Sequence, residues 1–134
     1  MSGGYAAAHA GLADVIAAAV DAADPESYFG RVTVLRRPGK LGTPPVVYVP
    51  PPSLTWDAAV AAPTEAVFEL VAAVKADEDA IERLFELLDP LSEAIFDAGR
   101  TGGLDAVIVS CEPAVWTTGG TELPAYFVRT EVAV

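Results

Sequence analysis

Few side chains in this sequence could do covalent or acid–base chemistry, and they are scattered. One imidazole, His9, lies in an alanine-rich stretch near the start, and one thiol, Cys111, lies among β-branched residues. A hydrolase or transferase needs a nucleophile held beside a base. No such pairing is spaced into the chain, and His9 reads as a solvated bystander. Carboxylates are plentiful: Asp77, Glu78 and Asp79 are consecutive, and Glu82 and Glu86 stand one helical turn apart. Carboxylates that close can share a proton or hold a cation. A single helix rarely cages a metal alone, so the cluster reads as a solvated helix start whose acids match the positive end of the dipole. The Arg100-Thr101-Gly102-Gly103 string is too short for a phosphate-binding loop and reads as a helix exit. The sequence therefore assigns no catalytic residue, metal ligand or cofactor, and the expectation is a protein that is not an enzyme.

What the charges do show is sorting. Four of the eight cations, Arg31, Arg36, Arg37 and Lys40, fall within ten residues. Glu78, Glu82, Glu86, Asp89, Glu93 and Asp97 recur every three or four positions, the spacing of one face of a helix. An acidic helix stripe is commonly just a wet face. A basic loop is harder to explain that way, because the net charge of −11 already supplies solubility. Opposite charges sorted onto separate surfaces can meet between copies of one chain. Arg31, Arg36, Arg37, Lys40, Glu78, Glu82, Glu86 and Glu93 are the candidate interface residues. The acidity also repels a phosphate backbone, so stable nucleic-acid binding is not expected.

The elements that must carry these residues follow from periodicity. The length of 134 residues suits one domain burying about two thirds of its unfolded surface. Every apolar run is broken well before the roughly 18 residues of a membrane span. Met1 to Ala10 lacks the basic start and leucine-rich stretch of a secretory signal and reads as a flexible leader before a domain at 11–134. A lone Cys111 forms no internal disulfide, in keeping with maturation in a cytoplasm, and reads as a buried small hydrophobe. Leu12, Val15, Ile16, Ala19, Val20 and Ala23 follow a helical period, stopped at Asp24-Pro25. Val32 and Val34 mark a strand, and Arg36 to Pro45 is a Gly/Pro loop. Val46 to Val49 is a second strand, with Pro50-Pro51-Pro52 placed at a sheet edge, and Ser53 to Asp57 is extended.

Thr64 to Ala76 fits both a strand and a helical face, and its propensity leans helical. Asp77 to Asp79 open a helix with Ile81, Leu84, Phe85, Leu88, Leu91 and Ile95 on its apolar face and Gly99 closing it. Pro90 either kinks that helix or starts a second. From Leu104 the pattern is β, with Gly119-Gly120 as a hairpin turn. In the final run Tyr126, Val128, Thr130, Val132 and Val134 alternate with Arg129 and Glu131, as on a sheet with one buried face. The expected fold is α+β, a mainly antiparallel or mixed sheet with two main helices packed on one face.

This order of elements resembles the tail terminator proteins of long-tailed (siphovirus) phages. The corresponding parts are Leu12 to Ala23, Arg31 to Asp57, Glu65 to Val74, Asp79 to Ala98 and Leu104 to Val134, nearly the whole chain. The strings PVVYVPPPSLTW (Pro45 to Trp56), FELVAA (Phe68 to Ala73) and LPAYFVRTEVAV (Leu123 to Val134) look like those of phages of high-GC actinobacterial hosts, as do the 25 alanines. The resemblance implies that Glu65 to Val74 is a strand. It also implies a homo-oligomeric ring, usually a hexamer, in the virion neck. That ring caps the tail tube, stops its polymerisation and meets a head-side connector, with DNA passing through unbound. No family site carries over residue by residue. A head-closure or head-to-tail adaptor protein is the neighbouring alternative. A small soluble ligand-binding domain or enzyme, with an apolar pocket beside Trp56 and Trp116, is the alternative of a different class.

Overall fold

A computed structural model describes residues 4–37, 43–59 and 61–134. The expected α+β architecture is present: one six-stranded mixed sheet carries two helices on one face. In chain order the elements are α1 (Gly4–Ala22), a 3-10 turn (Phe29–Arg31), β1 (Thr33–Leu35), β2 (Val46–Tyr48), β3 (Ser53–Thr55), β4 (Glu65–Ala73), α2 (Ala80–Thr101), β5 (Ala106–Thr118) and β6 (Thr121–Ala133). The strand order is β1-β2-β4-β6-β5, with β3 also on β4; only β1 and β2 run parallel.

The core lies between helices and sheet. Leu12, Ile16 and Val20 of α1 and Leu84, Leu87, Leu91 and Ile95 of α2 meet Ala66, Phe68, Leu70 and Ala72 of β4 and Val128 and Val132 of β6. β4 is the central strand, paired on both sides and buried on both faces apart from Glu65 and Glu69. That double burial is why its sequence lacks clean alternation: a strand covered on both faces is apolar at odd and even positions alike. The helical propensity of the segment is overridden by its ladder with β6, which runs from Glu65↔Ala133 to Ala73↔Ala125. On the face away from the helices a smaller cluster forms from Val46, Val71, Ala73, Leu123 and Ala125, flanked by Trp116 stacked on Tyr48 with centroids 5.8 Å apart.

Several expectations need correction. Residues 4–10 are not a separate leader, since α1 begins at Gly4 and Ala8 is buried. His9 is no bystander: it is half-buried, its Nε2 lies 2.9 Å from the Val49 carbonyl oxygen, and its ring stacks on Phe68. α2 does not end at Gly99 but at Gly102, which takes the left-handed conformation at φ 77° and donates its N–H to the Ala98 and Gly99 carbonyls. Gly99 serves another purpose, because a Cβ there would come within 2.8 Å of the Ala106 carbonyl oxygen. It lets α2 approach β5. Pro90 lies inside one continuous helix. Cys111 is exposed rather than buried, because β5 is the outermost strand of the sheet. The Gly119-Gly120 turn forms as expected, both residues at positive φ.

Candidate assembly surface

α2 lies over the β5 side of the sheet and α1 over the β1 side. The burial of α2 is rotated from the expected face. Ala80, Leu84, Leu87, Leu91 and Ile95 are buried, whereas Ile81, Phe85 and Phe96 stand more than half exposed. Positions 81, 85, 88, 92, 96 and 99 advance by four or three residues, so they form one stripe along the helix flank. Beside this flank is β5, whose Val107, Val109 and Val115 are also more than half exposed. Between them runs a groove of about 590 Å³ lined by Phe96, Gly99, Arg100, Asp105, Val107 and Ile108, among others. Phe85 leans on Tyr126 at 6.4 Å between centroids, extending the apolar surface toward the hairpin.

β5 is the last strand of the sheet, and no strand among the described residues pairs with its outer edge. It is 13 residues long, against about 5–6 for an ordinary strand. An exposed edge offers a row of unpaired N–H and C=O groups to any other chain, and proteins usually blunt it with lysines, short length, proline or a bulge. β5 carries no lysine or arginine. Its guards are Pro113 and a register shift between Ile108 and Ser110, which leaves Val109 unpaired against β6. Cys111 is exposed because it sits on this outermost strand; partial burial still pushes its thiol up from the ordinary cysteine value. The core reading failed because branched neighbours identify a strand without saying whether it is central or at an edge.

The charged candidates fall on both sides of the molecule. Arg31 closes the 3-10 turn and donates to the Glu26 carbonyl at 3.2 Å. Arg36, just past β1, is paired with Asp14 of α1, and Arg37 is exposed. Lys40 lies outside the described residues. Glu78, Glu82, Glu86 and Glu93 are exposed on or just before α2. Glu86 accepts from Arg83 at 3.0 Å, and Arg83 in turn lies 4.8 Å over the Tyr28 ring. Burial pushes the Tyr28 phenol up, opposed by the Arg83 cation. The hydrogen bond that Arg83 donates to Glu86 raises the already high Arg83 value. Among the described residues, then, Arg36 pairs with α1 and Arg31 with backbone, neither with the acidic ridge of α2.

The sequence reading missed the apolar half of this surface. Its signal was present: α2 has apolar side chains at 81, 84, 85, 87, 88, 91, 95 and 96, an arc wider than the roughly 100° that packing on one sheet requires.

No group of three or more His, Cys, Asp or Glu among the described residues is placed to hold a metal ion. Trp56 is exposed after β3, while Trp116 belongs to the far-face cluster; neither is among the residues lining the α2–β5 groove. No helix among the described residues is long and apolar enough to cross a membrane. Compared with models of known protein families and with curated proteins, the chain matches none.

Proposed function

We propose that this chain is a non-enzymatic structural subunit that closes into a ring on the end of a phage tail tube, the role of a tail terminator in the virion neck. The observation that supports it best is the long β5 edge, free of lysine and arginine, lying beside an uncovered apolar stripe on α2. A surface of that kind, rimmed by charge, marks a contact with another protein.

The role has a simple physical logic. The growing end of a tube is a self-templating surface, and a different subunit seated on it removes the template. Closed symmetry then prevents the cap itself from extending. Six copies is the number the family resemblance implies. The acidic surface would keep DNA from adhering as it passes through the ring.

The test is to incubate the purified chain with purified, uncapped tail tubes and image them by negative-stain electron microscopy. A ring at one end of each tube, with elongation by added tube subunits halted, is the expected result. Tubes that stay bare and keep elongating would refute it. Attachment to portal-bearing heads but not to tubes would assign the chain to a head-side adaptor instead.

A further inference from the structure

The proposed ring needs two different surfaces on each subunit, and the structure offers a matched pair. We infer that the β5 edge and α2 flank of one copy receive the β1 side of a second copy, head to tail. This rests on the ring reading and names its contact.

The apolar part of the contact is Ile81, Phe85 and Phe96 on α2 with Val107, Val109 and Val115 on β5. Directly beside it on α2 lies the acidic ridge of Glu82, Glu86, Asp89, Glu93 and Asp97, all exposed. At the other end of the sheet, β1 is the terminal strand, and no strand among the described residues pairs with its outer edge. Arg31 and Arg36–Arg37 flank it in sequence. A flank rimmed by carboxylates is best met by cations, and Arg31 and Arg37 stand exposed beside β1, where Arg36 is already paired with Asp14 of α1.

The alternative self-contact is a two-fold pairing of β5 with β5. It would join the apolar flanks but set two acidic ridges side by side, and like charges at that range repel. Head-to-tail contact places the ridge against arginines instead. Rotation of such heterologous contacts can close a ring, whereas an isologous pair stops at two.

The native thiol supplies the test. Cys111 is exposed on β5 and is the sole cysteine of the chain, and Thr33 is exposed on β1. The full chain carrying Thr33→Cys is treated with a short bis-maleimide across a concentration series, alone and with tail tubes. Wild type and Thr33→Cys/Cys111→Ser serve as controls. A ladder extending beyond dimer in Thr33→Cys alone is expected. Dimers formed equally by wild type would overturn the inference in favour of the two-fold pair. Rings seen by mass photometry without any ladder would overturn this contact while leaving the ring reading intact. Monomers under every condition, tubes included, would overturn both.

Discussion

Replacing Phe96 by serine separates assembly from folding. The Phe96 side chain is 66% exposed, and a phenylalanine presents about 200 Å² to a partner that covers it. About 130 Å² is therefore open on the flank of α2. At about 25 cal/mol per Å², covering it contributes at most about 3 kcal/mol per contact, or roughly two orders of magnitude in Kd. The covered third, about 70 Å², contributes less than about 2 kcal/mol to folding by the same measure. Serine and phenylalanine have similar helix propensities, so the helix itself is little affected. Sedimentation velocity over a concentration series should show self-association, or binding to tube ends, weakened by about 100-fold in Phe96→Ser. Urea unfolding should show a loss of less than about 2 kcal/mol. Unchanged association would refute the assignment of this flank as a contact. A loss of folding stability well above that figure would mean that Phe96 belongs to the core.

Three further outcomes follow from the same structure. Thr130 is fully buried, and its Oγ1 has no hydrogen-bond partner among the described residues; Thr130→Val should stabilise the fold by about 1–2 kcal/mol, raising Tm by several degrees in calorimetry, and a fall in Tm would show that the hydroxyl is satisfied. The Cys111 thiol is pushed up by partial burial, so its alkylation should be slower than that of the urea-unfolded chain at pH 8, with the rate profile displaced toward higher pH. The linked stability is present below the unfolded thiol value and lost as pH rises through the folded one; equal alkylation rates in folded and unfolded chain would contradict it. Reversing Arg36 and Arg37 to Glu should weaken assembly, most strongly at low salt. The exposed Arg36–Asp14 pair is worth at most about 1 kcal/mol to folding, so urea unfolding should change little, and assembly unchanged at low salt would count against the basic surface.

Local pattern was enough to locate most elements. The 3.6 period from Leu12 to Val20, the acids at the start of α2, the glycine pair of the hairpin and the alternation from Val128 to Val132 all report interactions between near neighbours in sequence. The same pattern could not say which apolar residues become covered. Ile81 and Phe85 look like core on a helical wheel, yet Leu87 takes the buried position because the approach at Gly99 fixes how α2 rolls against β5. β4 fits both periods, with a propensity that leans helical, because burial on both faces, which erases alternation, comes from elements distant in sequence.

The candidate surface divides in the same way. The two charge blocks were legible, since charge is a property of residue type. Their placement on the β1 side and along α2 was set by strand order, as was the exposure of Cys111 on the outermost strand. His9 is the converse: it looked solvated in an alanine-rich stretch but lies on Phe68 with its ring nitrogen at the Val49 carbonyl. Sequence thus determined most of the segments that fold as helix or strand, β4 excepted, through periodicity and turn chemistry. Tertiary structure alone decided which apolar side chains remain uncovered, because burial depends on long-range pairing and on how closely a helix can approach its sheet.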